Sequence, residues 1–330
     1  MRKLMTALAC AVFAYAAPGA HAADRSKGDP AASYPARPLR ILVGFSAGST
    51  TDILARTIGV KLHEAWGQPV IVENRPSAGG VMAAQTVTSA TPDGHTLISV
   101  SAGHAVSAAL YRNLPYNTER DFAGVTMLAT VPSILVVSPA SGVKSVKELV
   151  ALARSKPGAF NYSSPGIGSA NHLGGELLKS LAKIEVTHVP FKGIPEALTA
   201  SLTGTVLFNL SPILNVLPLA KSGRVTALAT STGKRALAMP ELPTIAEAGV
   251  PGYVFDPWFG LLTTASVPRP VVAKLNREVV RILGLPDVRE RLLALGAEPN
   301  PMSPAAFNAH VKAEIAKFSK IIRDANIKVE

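Results

Sequence analysis

Two short stretches of the chain carry residue types that can do chemistry. The first is Phe45-Ser46-Ala47-Gly48-Ser49-Thr50-Thr51-Asp52. It follows the apolar run Ile41-Leu42-Val43 and precedes Ile53, Leu54, Ile58 and Leu62, which share one helical face. A strand that breaks into a small polar turn and then a helix leaves backbone amides unpaired beside the positive end of the helix dipole. Such a place suits an anion. No Lys or Arg lies in the stretch, so main-chain amides and the hydroxyls of Ser46, Ser49, Thr50 and Thr51 would be the donors. The second stretch, Ser163-Ser164-Pro165-Gly166-Ile167-Gly168-Ser169-Ala170-Asn171-His172, repeats this pattern after an extended run from Phe160.

Gly44-Phe45-Ser46-Ala47-Gly48 also matches the G-x-S-x-G nucleophile elbow, with histidines downstream. A serine esterase using Ser46 is therefore the rival function. Position argues against it. An elbow serine follows several strands, because an earlier loop supplies part of the oxyanion hole, whereas Ser46 follows the first strand. Asp52 is expected to N-cap its helix rather than bind a ligand ammonium. His172, just inside a helix start, is a candidate ligand contact, and Phe45 a candidate wall of the site. Lys192 and Arg75 are candidates for a distal carboxylate, with structural pairing favoured for Arg75. Trp258 and Phe259 are expected to pack at a hinge. No His/Asp/Glu cluster has metal-ligand spacing, so neither a metal nor a cofactor is expected.

These residues must be positioned by alternating strands and helices. Arg40–Val43, Val70–Glu73 and Thr96–Ser101 read as strands, the third running into Ala102-Gly103-His104. A second α/β block follows, with strands near Ala123–Ala129, Ile134–Ser138, Phe160–Ser163, Val186–Val189, Val206–Leu210 and Val225–Ser231. The alternation predicts mostly parallel sheets with right-handed crossovers, whose ligands sit beyond the carboxyl ends of the strands. Ser101 and Ala102, Phe191 and Lys192, and Ser211 follow strands and join the candidate site on that ground. The expected architecture is two α/β lobes around a cleft, with a hinge at Val131-Pro132 and at Val250 to Pro257.

Arg2 and Lys3, the apolar run Leu4–Ala17 and Ala20-His21-Ala22 form a signal-peptide pattern, predicting export with cleavage near Ala22. The expected organisation is a signal peptide at 1–22, a flexible lead-in at 23–36, domain I at 37–132 plus 254–330, and domain II at 133–253. Cys10 is the single cysteine, so the mature chain has none, which excludes thiol catalysis, iron–sulfur clusters and thiolate zinc sites. The net charge of +11 favours anionic ligands in general. The basic residues are scattered and lack interleaved aromatics, so nucleic acid is not an expected partner.

Motifs along the chain resemble the periplasmic solute-binding receptors of the tripartite tricarboxylate transporter family (TctC, or Bug receptors). They include Tyr34-Pro35-Ala36-Arg37-Pro38, Glu73-Asn74-Arg75-Pro76, Pro92-Asp93-Gly94, Gly168-Ser169 with His172, His188-Val189-Pro190-Phe191-Lys192-Gly193, Glu247-Ala248-Gly249 and Trp258-Phe259-Gly260. The resemblance implies a monomeric, two-lobed, type II-like periplasmic binding protein that closes on a small carboxylate. It implies that the loops Phe45–Asp52 and Ser163–His172 hold one carboxylate through amides, hydroxyls and bridging water. It also implies membrane components of such a transporter, or a sensor, as partners. The chain departs from the family's habits: Gly44 stands where Pro is common, Ser49 and Ser77 where Gly is common, and Phe191 where Tyr is common. Acidic residues common at the positions of Ala200, Leu207 and Ser211 are gone. Ser211, after a strand, is expected to face the cleft, and loss of a carboxylate there points to an acid without an amine.

Overall fold

The computed structural model describes residues 29–324 and residue 327, so the expected signal peptide lies outside the described residues. The first lobe opens with β1 (Leu39–Val43), α1 (Thr50–Trp66), β2 (Val70–Asn74), α2 (Val81–Thr88), β3 (Thr96–Ser101), α3 (Gly103–Leu110) and β4 (Phe122–Thr130). The chain then crosses into β5 (Ser133–Val137), α4 (Val146–Ser155), β6 (Phe160–Ser164), α5 (Ala170–Ala182), β7 (Val186–Pro190), α6 (Ile194–Leu202), β8 (Phe208–Pro212), α7 (Ile213–Lys221) and β9 (Thr226–Thr230). It returns as β10 (Trp258–Thr264), α8 (Arg269–Leu283), α9 (Pro286–Ala294), β11 (Glu298–Pro299) and α10 (Pro304–Asp324).

The strands form two sheets, ordered β11-β4-β10-β3-β1-β2 and β7-β6-β8-β5-β9. Each has a parallel trio, with β1 between β2 and β3, and β6 between β7 and β8. Each also has an antiparallel strand that has just crossed from the other lobe: β10 in the first sheet and β5 in the second. The sheets are thus mixed rather than mostly parallel, because each crossing strand enters its sheet reversed. The two crossings lie side by side, with the Val131 amide donating to the Pro257 carbonyl at 2.9 Å.

Strand β1, central in the parallel trio of the first sheet, packs on both faces and so reads as an apolar run, whereas the edge strand β2 is part-exposed. Leu39, Ile41 and Val43 belong to the same core cluster as Leu54, Ile58 and Leu62 of α1 and Leu275 and Val279 of α8. Leu42 belongs instead with Ala83, Ala84 and Val87 of α2 and Ala105 and Val106 of α3. The last helix closes that second face. Phe307 packs edge-on against Trp258, ring centroids 5.5 Å apart, and Trp258 Nε1 donates to Glu314 at 3.2 Å. The same helix touches α3, β4 and α5, so it spans both lobes beside the hinge. The sequence reading did not identify α3 as a helix. Gly103 and His104 give no start signal, and Ala102, at its N-cap, offers no side-chain cap.

Phe307 is fully buried. Replacing Phe307 with Ala should remove about 3–5 kcal/mol of stability, measured as a fall in the denaturant midpoint.

Candidate functional site

The loops after β1 and β6 are two copies of one local structure. Ser49 caps α1 and Ser169 caps α5, each with extended backbone and with its Oγ accepting the amide three residues on, Asp52 at 3.3 Å and His172 at 3.2 Å. The residue before each serine is a glycine in the left-handed region, Gly48 at φ +79° and Gly168 at φ +77°, a conformation that a side chain would strain. The capping serine's own amide closes a tight turn onto the carbonyl three residues back, Ser49 to Ser46 and Ser169 to Gly166, both at 3.2 Å. In both copies the third helical residue reaches back to the glycine amide. Gly48 donates to Asp52 Oδ2 at 2.9 Å, and Gly168 donates to His172 Nδ1 at 3.4 Å.

These bonds use the third amide of each helix and leave the first two free. The amides of Thr50 and Thr51, and those of Ala170 and Asn171, have no acceptor among the described residues. Each lobe therefore offers a pair of donors at the positive end of a helix dipole. Ser46, Ala47 and Gly48 are exposed around the first pair, and Ile167 is 44% exposed beside the second. Both loops leave the carboxyl ends of the parallel strands. The second abuts the first lobe, because a Cβ on Gly168 would lie 3.2 Å from Leu110 and 3.4 Å from the Tyr111 hydroxyl, at the end of α3.

Asp52 is not the N-cap expected of it; Ser49 is. Burial of Asp52 raises its pKa, but the Arg56 guanidinium at 3.0 Å, the Gly48 amide and Asn74 Nδ2 at 2.9 Å outweigh burial and hold the carboxyl below the ordinary aspartate value. Both of its carboxylate oxygens are engaged by these donors. Asn74 also donates to the Phe45 carbonyl at 3.0 Å, tying the second strand's end to the loop. Sequence reasoning named the Asn74-Arg75 segment but not this role; an amide at a parallel strand's end, beside a capped helix, was its only signal. Arg75 pairs with Glu73 at 2.5 Å, the structural role favoured for it. Phe45 is half-buried at the loop's start.

Several candidate hydroxyls are engaged inside their own lobes. Ser163 donates to the Ala197 carbonyl at 2.8 Å and accepts from Asn209. Ser211, 2% exposed, donates to Asn209 Oδ1, so its hydroxyl is turned to its own strand rather than to the cleft as expected. Ser164 Oγ lies 2.7 Å from His188 Nε2 and accepts the Gly166 amide. Asn171 Nδ2 donates to the Leu210 carbonyl and to Ser133 Oγ, which leaves its backbone amide as its free donor. Thr51 shares a hydrogen bond with Ser49, whereas Thr50 Oγ1 is buried without a partner. Ser101 accepts the Gly103 amide beside buried Ala102. A small cavity behind the first loop is lined by Gly44, Phe45, Gly79, Gly80, Ser101 and His104. The imidazole of His104, pushed down to about 4 by burial, has no partner on Nε2. Phe191 is half-buried, its amide on the Ser164 carbonyl, and Lys192 is exposed. A Cβ on Gly44 would meet Gly80 Cα at 2.5 Å, so this packing of the first two loops requires glycine at position 44.

Ser46, the candidate esterase nucleophile, is exposed in the first loop. No imidazole among the described residues hydrogen-bonds to it, and the nearby Asp52 is committed to Arg56. No group of three potential metal ligands occurs among the described residues.

The family model described as "Tripartite tricarboxylate transporter family receptor" matches residues 54–327. Protein BugT of Bordetella pertussis is 32% identical over 300 residues, covering 90% of this chain and 92% of BugT. The structure of Rhodopseudomonas palustris Rpa4515 with adipate superposes with a TM-score of 0.84 at 37% identity, covering 89% of this chain and 99% of that one. MatC from the same species, with bound malate, gives a TM-score of 0.80 at 35% identity, covering 88% and 100%.

Two outcomes follow from the caps. Ser49→Ala and Ser169→Ala should each lower stability by about 1 kcal/mol, seen by thermal unfolding. Because the folded pKa of Asp52 is depressed, its charge contributes stability above the unfolded value, near 3.9, and that contribution is lost as pH falls through the folded pKa. Asp52→Asn should therefore be less stable than the parent at neutral pH, with the gap closing in acid. A gap that persists unchanged in acid would show that the charge is not the cause.

Proposed function

Because the chain belongs to the tripartite tricarboxylate transporter receptor family, we propose that it is an exported, periplasmic receptor that captures a small organic carboxylate between its two lobes. The observation that carries this is the pair of matched loops, each with two unpaired amides at a helix start and no cation of its own. A carboxylate has two oxygens and several lone pairs, enough to accept from both loops at once. Contact with both lobes favours the closed arrangement, so the ligand draws the hinge at 131–132 and 250–257 shut. The domain division at 132–133 and 253–254 follows from that hinge.

The same site disfavours an amine on the ligand. Asp52, the acidic residue in the first loop, is saturated by Arg56, Asn74 and Gly48 and has no acceptor to spare for an ammonium group. An ammonium group would lose water without gaining a carboxylate. Adipate in Rpa4515 and malate in MatC are amine-free diacids and support this choice. The receptor acts as a monomer and delivers its ligand to membrane components of a transporter of this family.

A thermal-shift screen of the mature chain tests the function. Adipate, malate and other amine-free acids should raise the melting temperature, with about 2.7 kcal/mol of added stability at a hundred times the dissociation constant. Aspartate and glutamate should shift it less. If no acid shifts the transition, the receptor assignment fails; if amino acids shift it as much as their amine-free counterparts, only the specificity fails.

A further inference from the structure

The two capping loops differ in one respect that bears on charge. In the first, the group that reaches back to the glycine amide is the Asp52 carboxylate, and Arg56 pairs with it at 3.0 Å. In the second it is the His172 imidazole, and the cation on the same helix, Lys179, is already paired with Glu176 at 2.8 Å. A carboxylate in place of His172 would have no such counter-charge. It would sit in the same first helical turn as the amides of Ala170 and Asn171 and oppose any anion they bind.

His172 is held in place from behind. Its ring stacks on His188, with centroids 4.1 Å apart and 26° between the planes. His188 is fixed in turn by Ser164 Oγ at 2.7 Å and by the Tyr162 ring, 4.9 Å away. Tyr162 donates to Glu176 at 2.7 Å, and Lys179 lies 5.8 Å over the Tyr162 ring, which completes the ionisable groups around the stack. Since the Gly168 amide donates to Nδ1, the proton of the neutral His172 ring is on Nε2. Burial lowers the pKa of both rings, that of His188 to about 3 with further opposition from His172 and Lys179. The stack is therefore uncharged at neutral pH.

We propose that His172 is the positioning residue of the second carboxylate loop: a neutral acceptor, clamped by His188, that fixes Gly168 and hence the free amides of Ala170 and Asn171 without placing negative charge beside the ligand. The inference rests on the carboxylate-receptor assignment and adds to it the means by which one lobe stays an uncharged donor site.

Two measurements decide it, and the first needs no ligand. Imidazole nitrogen shifts from NMR of the free protein should show His172 neutral, with the proton on Nε2, from pH 6 to pH 8. A proton on Nδ1, or a doubly protonated ring, would overturn the proposal and leave the receptor assignment standing. The second measurement is calorimetric titration with adipate. His172→Ala should bind roughly tenfold more weakly or worse, and His172→Asn, whose side chain keeps a neutral acceptor, should recover most of that loss. His172→Asp keeps an acceptor but adds charge. It should bind at least about tenfold more weakly than His172→Asn at pH 7.5. Equal binding by the Asp and Asn variants, at matched melting temperatures, would sink the electrostatic half of the proposal. If the parent protein binds neither adipate nor any other acid of the panel, the receptor assignment fails, and the NMR result still decides the role of His172.

Discussion

An α-helix begins with amides that its own carbonyls cannot reach, and the two matched loops of this protein are built on two such beginnings. A capping serine satisfies the third amide of each helix, and the side chain at that third position turns back to the preceding glycine. The first two amides are left over. This is the constraint on which the remaining features depend. The glycine must be left-handed, the loop must be short, and the strand before it must end where the helix can start. The two copies agree in all of these although their sequences share only the Gly-Ser pair and a polar residue three places on.

The fold supplies the rigid frame that such loops need. Parallel strands bring the loops out at one end of each sheet, and the antiparallel strand that crosses from the other lobe locks each sheet to the hinge. The crossing segments are hydrogen-bonded to each other at Val131 and Pro257, which holds the two crossings side by side. Helix α10, with Phe307 and Phe318 buried, packs across the hinge on α3 and α5. The second loop meets the end of α3 at Leu110 and Tyr111, while α3 itself starts from the loop after β3. One helix thus runs from the floor of the first lobe to the loop of the second.

Neither loop contains Lys or Arg, and charge near them is either paired or absent. Asp52 is neutralised by Arg56, and His172 and His188 stay neutral through burial and stacking. In the proposed binding mode, recognition by oriented dipoles rather than by a full cation places the donors in fixed directions and avoids a charge that would have to be desolvated when the cleft closes. For a receptor of this family, which must release what it binds, moderate and directional attraction suits the task better than an ion pair.

Much of this was legible in the sequence. The apolar run at 41–43, the small polar turn and the periodic residues after Asp52 specify strand, loop and helix start, because each is a local property of backbone preference and amphipathic spacing. The same holds for the loop at 163–172 and for the two crossings. The sequence could not say which side chain caps which amide. Ser49 and Asp52 are both good caps by type, and only the backbone path made Ser49 the cap and turned Asp52 back to Gly48. Nor could it show that Ser163 and Ser211 turn inward to Ala197 and Asn209, that Asn74 ties β2 to the first loop, or that His188 comes to stack on His172 from a neighbouring strand. Those facts depend on strand order and register, which bring together residues far apart in the chain, and no local pattern encodes them.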